Sequence, residues 1–497
     1  MSRLGRRQFL QILAAGTAGV AAHRLLRSTR ADAQALPSVY KAKEPRFLIV
    51  IAGFGGASIV DSFLATRNNE TANSATINTL PDGEVKDVAG TPFRAVDLTR
   101  SLFGVPIVTS QSAFVQKHKD HMMVTTLTGT SVNHAIAQKR AITGNGAWSG
   151  RTLQEAVALE YGEGHLLPNV NMATLGYLEN GDDPSLPAYC YAEPVAQPAL
   201  WPLSLDGSRG IKNAPDRKLL ELARAVRDKE LDPETAFYQT FQNSERLQRW
   251  LAKRAEQPGI EAKDLISQLN IFPDAPPALP LAEYGLGSSP DAARLRATFP
   301  AFLDDPLDAQ AALAFLLLKN RVSVAVTLSP SFNVVLSQVS GLANLPLAFD
   351  YSHNDHRAAQ AFMWQRTLRL IDRLIDLLAA EPFNPATGES FWDRTLIYVA
   401  TDFGRSRNRT GTSETFSSGH HLNNGNLILS PMARGNTLLG GVDRDTTLTF
   451  GFDPRTGAPD PSRNMTEAEI YAGILQALGV STTGSGLPDM PAMRKSA

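Results

Sequence analysis

The sequence predicts an α/β fold built on a largely parallel sheet. Three observations carry this. Apolar runs of strand length recur along the chain, stretches of helical period separate them, and polar turns rich in glycine or histidine lie beside them.

The elements follow in order. Residues 46–52 (RFLIVIA) form an unbroken apolar run ending in glycines, the pattern of a strand buried on both faces. Residues 121–127 read as a second, weaker strand. A helix over 309–318 leads into a third at 322–328. The fourth is 395–401 and the fifth 426–430. The clearest helix covers 358–378. Met363, Leu370, Ile371, Leu374, Leu377 and Leu378 share one stripe, with Arg369, Asp372, Arg373 and Asp376 outside it. A closing helix runs over 466–478, where Thr466 and Glu469 have the spacing of a capping box. Residues 212–257 are charged, nearly glycine-free and helical in pattern, so they predict a helical insertion. Residues 259–300, rich in Pro and Ala, predict a long surface connection.

Bulk properties exclude some functions. The chain has 497 residues, with 48 basic and 49 acidic, so no net charge steers it towards nucleic acid or an anionic membrane. Cys190 is the only cysteine, so no disulfide can form within the chain. No apolar stretch reaches the roughly 20 residues that a membrane span needs. Arg6-Arg7-Gln8-Phe9-Leu10 precedes an apolar, small-residue run at 12–22, a basic stretch at 23–30 and Ala31-Asp32-Ala33. A charged start, a short apolar run and a small-residue cleavage site make a secretory signal, and the arginine pair makes it a twin-arginine signal. Residues 1–33 are therefore expected to be removed, leaving 34–497 as a single domain in the periplasm or outside the cell.

In an open α/β sheet, ligands bind beyond the carboxyl ends of the strands. The polar residues gather there. Gly53-Phe-Gly-Gly-Ala-Ser58 follows the first strand and Thr128-Gly-Thr-Ser131-Val-Asn-His134 the second. Phe349-Asp350-Tyr-Ser-His353 lies beyond the third, Asp402-Phe-Gly-Arg405 follows the fourth, and Gly419-His420-His421 precedes the fifth. Five of the eight histidines left after Ala33 lie in or beside these segments, which marks them as a candidate site. Asp350, His353 and His421 would give a divalent ion, zinc above all, two imidazoles and a carboxylate with one position open. Asp350 could equally cap the following helix, and the paired histidines could be plain surface. Thr130 and Ser131 stand before a predicted helix at 135–142, either as caps or as nucleophiles at a helix N-terminus. The glycines at 53–56 fail the dinucleotide pattern, because Ser58 replaces its last glycine, and read as a tight strand-to-helix turn. G-x-S-x-G is absent, against an α/β-hydrolase.

These motifs, in this order, resemble a widespread bacterial family of exported, twin-arginine-signalled proteins of unknown function in the alkaline-phosphatase-like superfamily. Gly55-Gly-Ala-Ser58-Ile-Val-Asp61-Ser-Phe is similar to its G-G-x-S-x-x-D-x-F opening, and Asn133-His134 with Thr143-Gly144 to its next element. Phe349-Asp350-Tyr-Ser-His353 is similar to its W-D-T-H turn, Thr401-Asp402-Phe-Gly-Arg405-Ser to S-E-F-G-R-T, and Gly419-His420-His421 to G-x-D-H-G. The resemblance implies an alkaline-phosphatase-like sandwich and, in active members, two metals with a Ser or Thr nucleophile. It implies Asp350, His353 and His421 at a first metal and Asp402 at a second. The departures are specific. Ala52-Gly53-Phe54 offers no carboxylate at the end of the first strand, and Phe403 stands where active members have a histidine. A single ion is therefore expected, with Phe403 packed behind Asp402. Two functions follow as expectations. One is a metal-dependent hydrolase of phosphate or sulfate esters, with Ser131 or Thr130 attacking and Arg405 binding a small anionic substrate. The other is a non-catalytic envelope protein whose cleft binds a ligand or partner.

The signal reading makes Arg6 and Arg7 necessary for translocation. Replacing both by Lys should leave precursor in the cytoplasm, measured by fractionation and immunoblot. Export equal to that of the unaltered protein would contradict the assignment.

Overall fold

A computed structural model describes residues 43–102, 105–205, 215–261, 264–330, 349–409 and 413–495. The expected signal at 1–33 and the first residues of the expected insertion lie outside these.

The central sheet has eight strands. They are β1 (Phe47–Gly53), β2 (Met122–Thr128), β3 (Asn169–Asn171), β4 (Glu193–Pro194), β5 (Ala325–Leu328), β6 (Thr395–Thr401), β7 (Asn423–Leu429) and β8 (Thr437–Leu439). Their order is β8-β2-β7-β6-β1-β5-β3-β4. β1 lies between β6 and β5, parallel to both, with Phe47 opposite Thr395 and Gly53 opposite Thr401. Only β7 runs against the rest, pairing antiparallel with both β6 and β2. The reason is the connection. Among the described residues no crossover helix separates β6 from β7. Instead the chain folds back on itself, pairing Gly404 with His421 and Arg405 with His420 in a short antiparallel ladder.

Every residue of β1, β6 and β7 is buried, so the sheet is covered on both faces. Three helices pack together on the sheet: α1 (His134–Thr143), α2 (Leu153–Tyr161) and, later in the chain, the closing helix Glu467–Ala477. The expected insertion contains α3 (Arg217–Val226), α4 (Ala236–Phe241) and α5 (Glu245–Glu261). α6 (Pro306–Lys319) packs on β5 and on α7 (His356–Ala380). The closing helix is α8. It carries the expected capping box, in which the Thr466 side chain accepts from the Glu469 amide.

Two expectations change. Residues 264–300 are not a plain surface connection, because short helices at Leu265–Leu269 and Ala292–Thr298 bury Leu265, Ile266, Leu269 and Leu295. β3 is polar in sequence yet wholly buried. Asn169 donates to the Cys190 carbonyl at 3.0 Å and Asn171 to the Tyr177 carbonyl at 2.8 Å, which satisfies their buried amide nitrogens. Among the described residues no helix is long and apolar enough to cross a membrane.

The turn after β1 positions the site. Gly55 and Gly56 have φ of 86° and 81°, a region that costs other residues energy. α7 clamps the turn from below. Gln360 accepts from the Ser58 amide at 3.0 Å and donates to the Gly56 carbonyl at 2.8 Å. The buried Trp364 donates to the Ser58 carbonyl at 3.1 Å. A Cβ on Gly55 would stand 2.3 Å from the Asp350 amide nitrogen, so this glycine is also the floor under Asp350. Gly55→Ala should destabilise the fold by about 2 kcal/mol or more. Gly83→Ala, whose new Cβ meets nothing within 4 Å, should change stability by less than about 0.5 kcal/mol. Urea unfolding of both variants checks this, and equal stability would contradict it.

Candidate metal centre

The site is built outward from Asp402, the residue after β6. Its side chain has no exposed surface. A buried carboxylate needs compensating partners. It accepts from the Gly55 amide at 3.2 Å and the Gly56 amide at 2.7 Å. Its other partner is His134 Nδ1 at 2.9 Å, with Gln138 Nε2 at 3.4 Å. The positive-φ glycines therefore do more than turn the chain, because their amides solvate this charge.

His134 is the first residue of α1. Asn133 is the cap, its side chain accepting from the Ile136 amide at 3.3 Å. With Nδ1 held by Asp402, His134 Nε2 faces Asp350 Oδ1 at 3.4 Å. Asp350 lies in the short turn Phe349–His353 and does not cap α7. Asp355 does, accepting from the Ala358 amide at 3.3 Å, which leaves the Asp350 carboxylate for the site. Asp350 Oδ1 also faces His353 Nε2 at 3.4 Å and His420 Nε2 at 3.6 Å. His420 Nδ1 donates to the Val132 carbonyl at 2.9 Å, so in the neutral ring Nε2 carries the lone pair. His353 Nε2 lies 2.8 Å from it and donates.

The donor set fits a metal. His134, Asp350 and His420 offer ligand atoms that all lie within 4.8 Å of one another. Tetrahedral zinc ligands about 2.0–2.1 Å from the ion stand roughly 3.3–3.4 Å apart. The contacts to Asp350 Oδ1, 3.4 Å from His134 and 3.6 Å from His420, are close to that. Both histidines direct their other ring nitrogen to an outer acceptor, as metal-bound histidines do. Burial opposes charge on His134, but the carboxylates of Asp350 and Asp402 outweigh it and push its pKa up to about 9. Burial likewise opposes ionisation of Asp350, yet His134 and Arg405 hold it below the ordinary carboxylate range. Burial, with Arg405 nearby, lowers His353 and His420, leaving them neutral near pH 7.

Of the residues anticipated from sequence, Asp350, His353 and Asp402 come together. Asp402 holds the back of His134 instead of facing the centre. His421 is outside it. Successive residues of an extended segment point opposite ways. His420 therefore faces Asp350, while His421 Nδ1 accepts from the Asn423 amide at 3.0 Å. Arg405 is not arranged to bind an anion. Its buried guanidinium is committed to the carbonyls of Gly55 and Ser418 and, at 2.9 Å, to Asp350. The Thr130 hydroxyl donates to Glu467 at 2.7 Å and accepts from Arg140 at 3.0 Å. Ser131 Oγ accepts from the Asn133 amide at 3.2 Å, one residue before the carbonyl that holds His420. Phe403 is buried as expected, with its ring stacked on His420 at 4.0 Å and tilted against His134 at 4.8 Å. Sequence reasoning missed His134 and His420 as candidate ligands. The available signal for the first was a histidine opening a helix directly beyond a strand end.

An ion binding here must displace the His134 proton. Zinc affinity should therefore rise about tenfold per pH unit up to about pH 9 and fall as pH drops below it. Competition titrations with a chromogenic chelator between pH 6 and 8.5 measure this, and a flat profile would contradict it. Neither protein-family models nor curated proteins give a match to the chain, so the chemistry of the site rests on its own residues.

Proposed function

We propose that this chain is an exported, single-metal hydrolase of phosphate or sulfate esters on an alkaline-phosphatase-like fold. The observation that supports it most is the convergence of His134 Nε2, His420 Nε2 and Asp350 Oδ1, with each histidine braced from behind. Two imidazoles and a carboxylate suit zinc. When bound, the ion would polarise an ester oxygen and neutralise developing charge. The chain's own groups supply the rest. Asp402 fixes the tautomer and direction of His134. Arg405 orients Asp350. Phe403 shields the inner side of both histidines from water. Ser131 is the hydroxyl we assign to attack, because Thr130 is held by Glu467. Gly53 ends β1 without a carboxylate and Asp402 lies beneath the ligands, so the reading includes one ion and not two.

A second reading has its own support. With Arg405 buried and committed, we find among the described residues of the centre no free cation to hold an anionic substrate. That favours a metal-dependent binding protein without turnover.

Metal analysis with p-nitrophenyl phosphate and p-nitrophenyl sulfate assays separates the two. One zinc per chain and hydrolysis of either ester support the first reading. His420→Ala should weaken zinc binding more than about 100-fold, whereas His421→Ala should retain it. Ser131→Ala should keep the metal and lower kcat about 100-fold or more. A zinc-loaded protein that hydrolyses neither ester supports the second reading, and equal metal loss in the two histidine variants contradicts both.

A further inference from the structure

The helical insertion roofs a cleft of about 1000 Å³ that the metal centre does not use. This is at the upper end of the range for pockets that hold a single small ligand. Its lining includes Glu179, Asp182 and the half-buried Trp201, together with Arg246, Arg249 and Trp250 of α5. We infer that this cleft is an oligosaccharide-binding site.

Two features point to sugar. Trp250 is 55 % exposed although it lines a cleft, and Arg254 stacks on its ring at 4.5 Å. Trp201 lines the same cleft. Indole rings suit the apolar faces of pyranoses, while their N–H edges suit hydroxyls. The second feature is charge. Most cations of the cleft are already paired. Arg254 bonds Asp228 and Asp232 at 2.9 and 2.6 Å, Arg227 bonds Asp228 at 2.7 Å, and Lys139 bonds Asp182 at 2.8 Å. Arg249 lies 3.5 Å from Glu245 and stacks over Tyr191 at 4.3 Å. Carboxylates in the same wall disfavour a phosphate-rich ligand such as a nucleotide. Planar guanidinium and carboxylate groups held by one another are instead the donors and acceptors that neighbouring hydroxyls bridge. Lys139 lies in the cleft wall and His134 in the metal centre, and both belong to α1. At about 3.6 residues per turn their side chains leave the helix roughly 140° apart, so the cleft and the centre are separate sites.

Binding is measured by isothermal titration of the zinc-loaded mature protein with cellohexaose, chitohexaose and maltohexaose, with ATP as the anionic control. At least one hexasaccharide should bind with Kd below about 1 mM, and ATP should not. Trp250→Ala, a change at an exposed position, should weaken binding at least tenfold with unchanged thermal stability, and Trp201→Ala should act in the same direction. Chelation of the metal should leave sugar binding in place, which separates failure of this inference from failure of the hydrolase reading. Binding of none of the three sugars, binding of ATP instead, or an undiminished affinity in Trp250→Ala would overturn it.

Discussion

The rest of the site depends on one buried charge, the Asp402 carboxylate. It sits at the end of a central strand with no exposed surface, where an unpaired charge would be untenable. The fold compensates it from two directions. The turn after β1 presents two glycine amides, and α1 presents His134 Nδ1. Three elements that are far apart in sequence are thereby tied to one group. Removing the carboxylate would release the turn, the helix start and the orientation of His134 together. Gly55 and Gly56 are required by the same charge, because only their positive-φ backbone points successive amides at it without strain.

The second constraint is the way the chain returns from β6 to β7. Because the segment folds back as an antiparallel ladder, His420 comes to lie opposite Arg405. Arg405 then reaches inward to the Gly55 carbonyl and Asp350. The one antiparallel strand of the sheet is thus linked to the site, because the reversal brings a histidine to Asp350. Asp350 is held between Arg405 and His134, which favour its ionised form, with His353 and His420 beside it. The ring of Phe403 stacks on His420 and tilts against His134, walling the inner side of the candidate centre.

Much of this was legible in the sequence, for physical reasons. The strands at 47–53 and 395–401 are apolar on both faces, and their short length and β-branched content favour a buried strand over a helix. The capping box at Thr466 and Glu469 is local chemistry and reads directly. That polar residues beyond successive strand ends share one edge follows from topology. What sequence left open is parity and competition. In His420-His421 only the strand geometry decides which ring faces Asp350. At the start of α7, Asp350 and Asp355 both suit a cap, and the chain uses Asp355. Arg405 has the type of an anion binder, and only its burial among carbonyls shows that it braces Asp350. The strand Asn169–Asn171 was hidden because its side chains are polar and their partners are distant carbonyls.

The central claim is that one ion is held between His134, Asp350 and His420. Anomalous diffraction at the zinc absorption edge, from crystals of the zinc-loaded protein, tests it most directly. The account predicts one strong peak per chain about 2.0–2.1 Å from Nε2 of both histidines and within bonding distance of Asp350. A peak on His421, a second ion of equal occupancy beside Asp402, or no peak in crystals grown with zinc would contradict it.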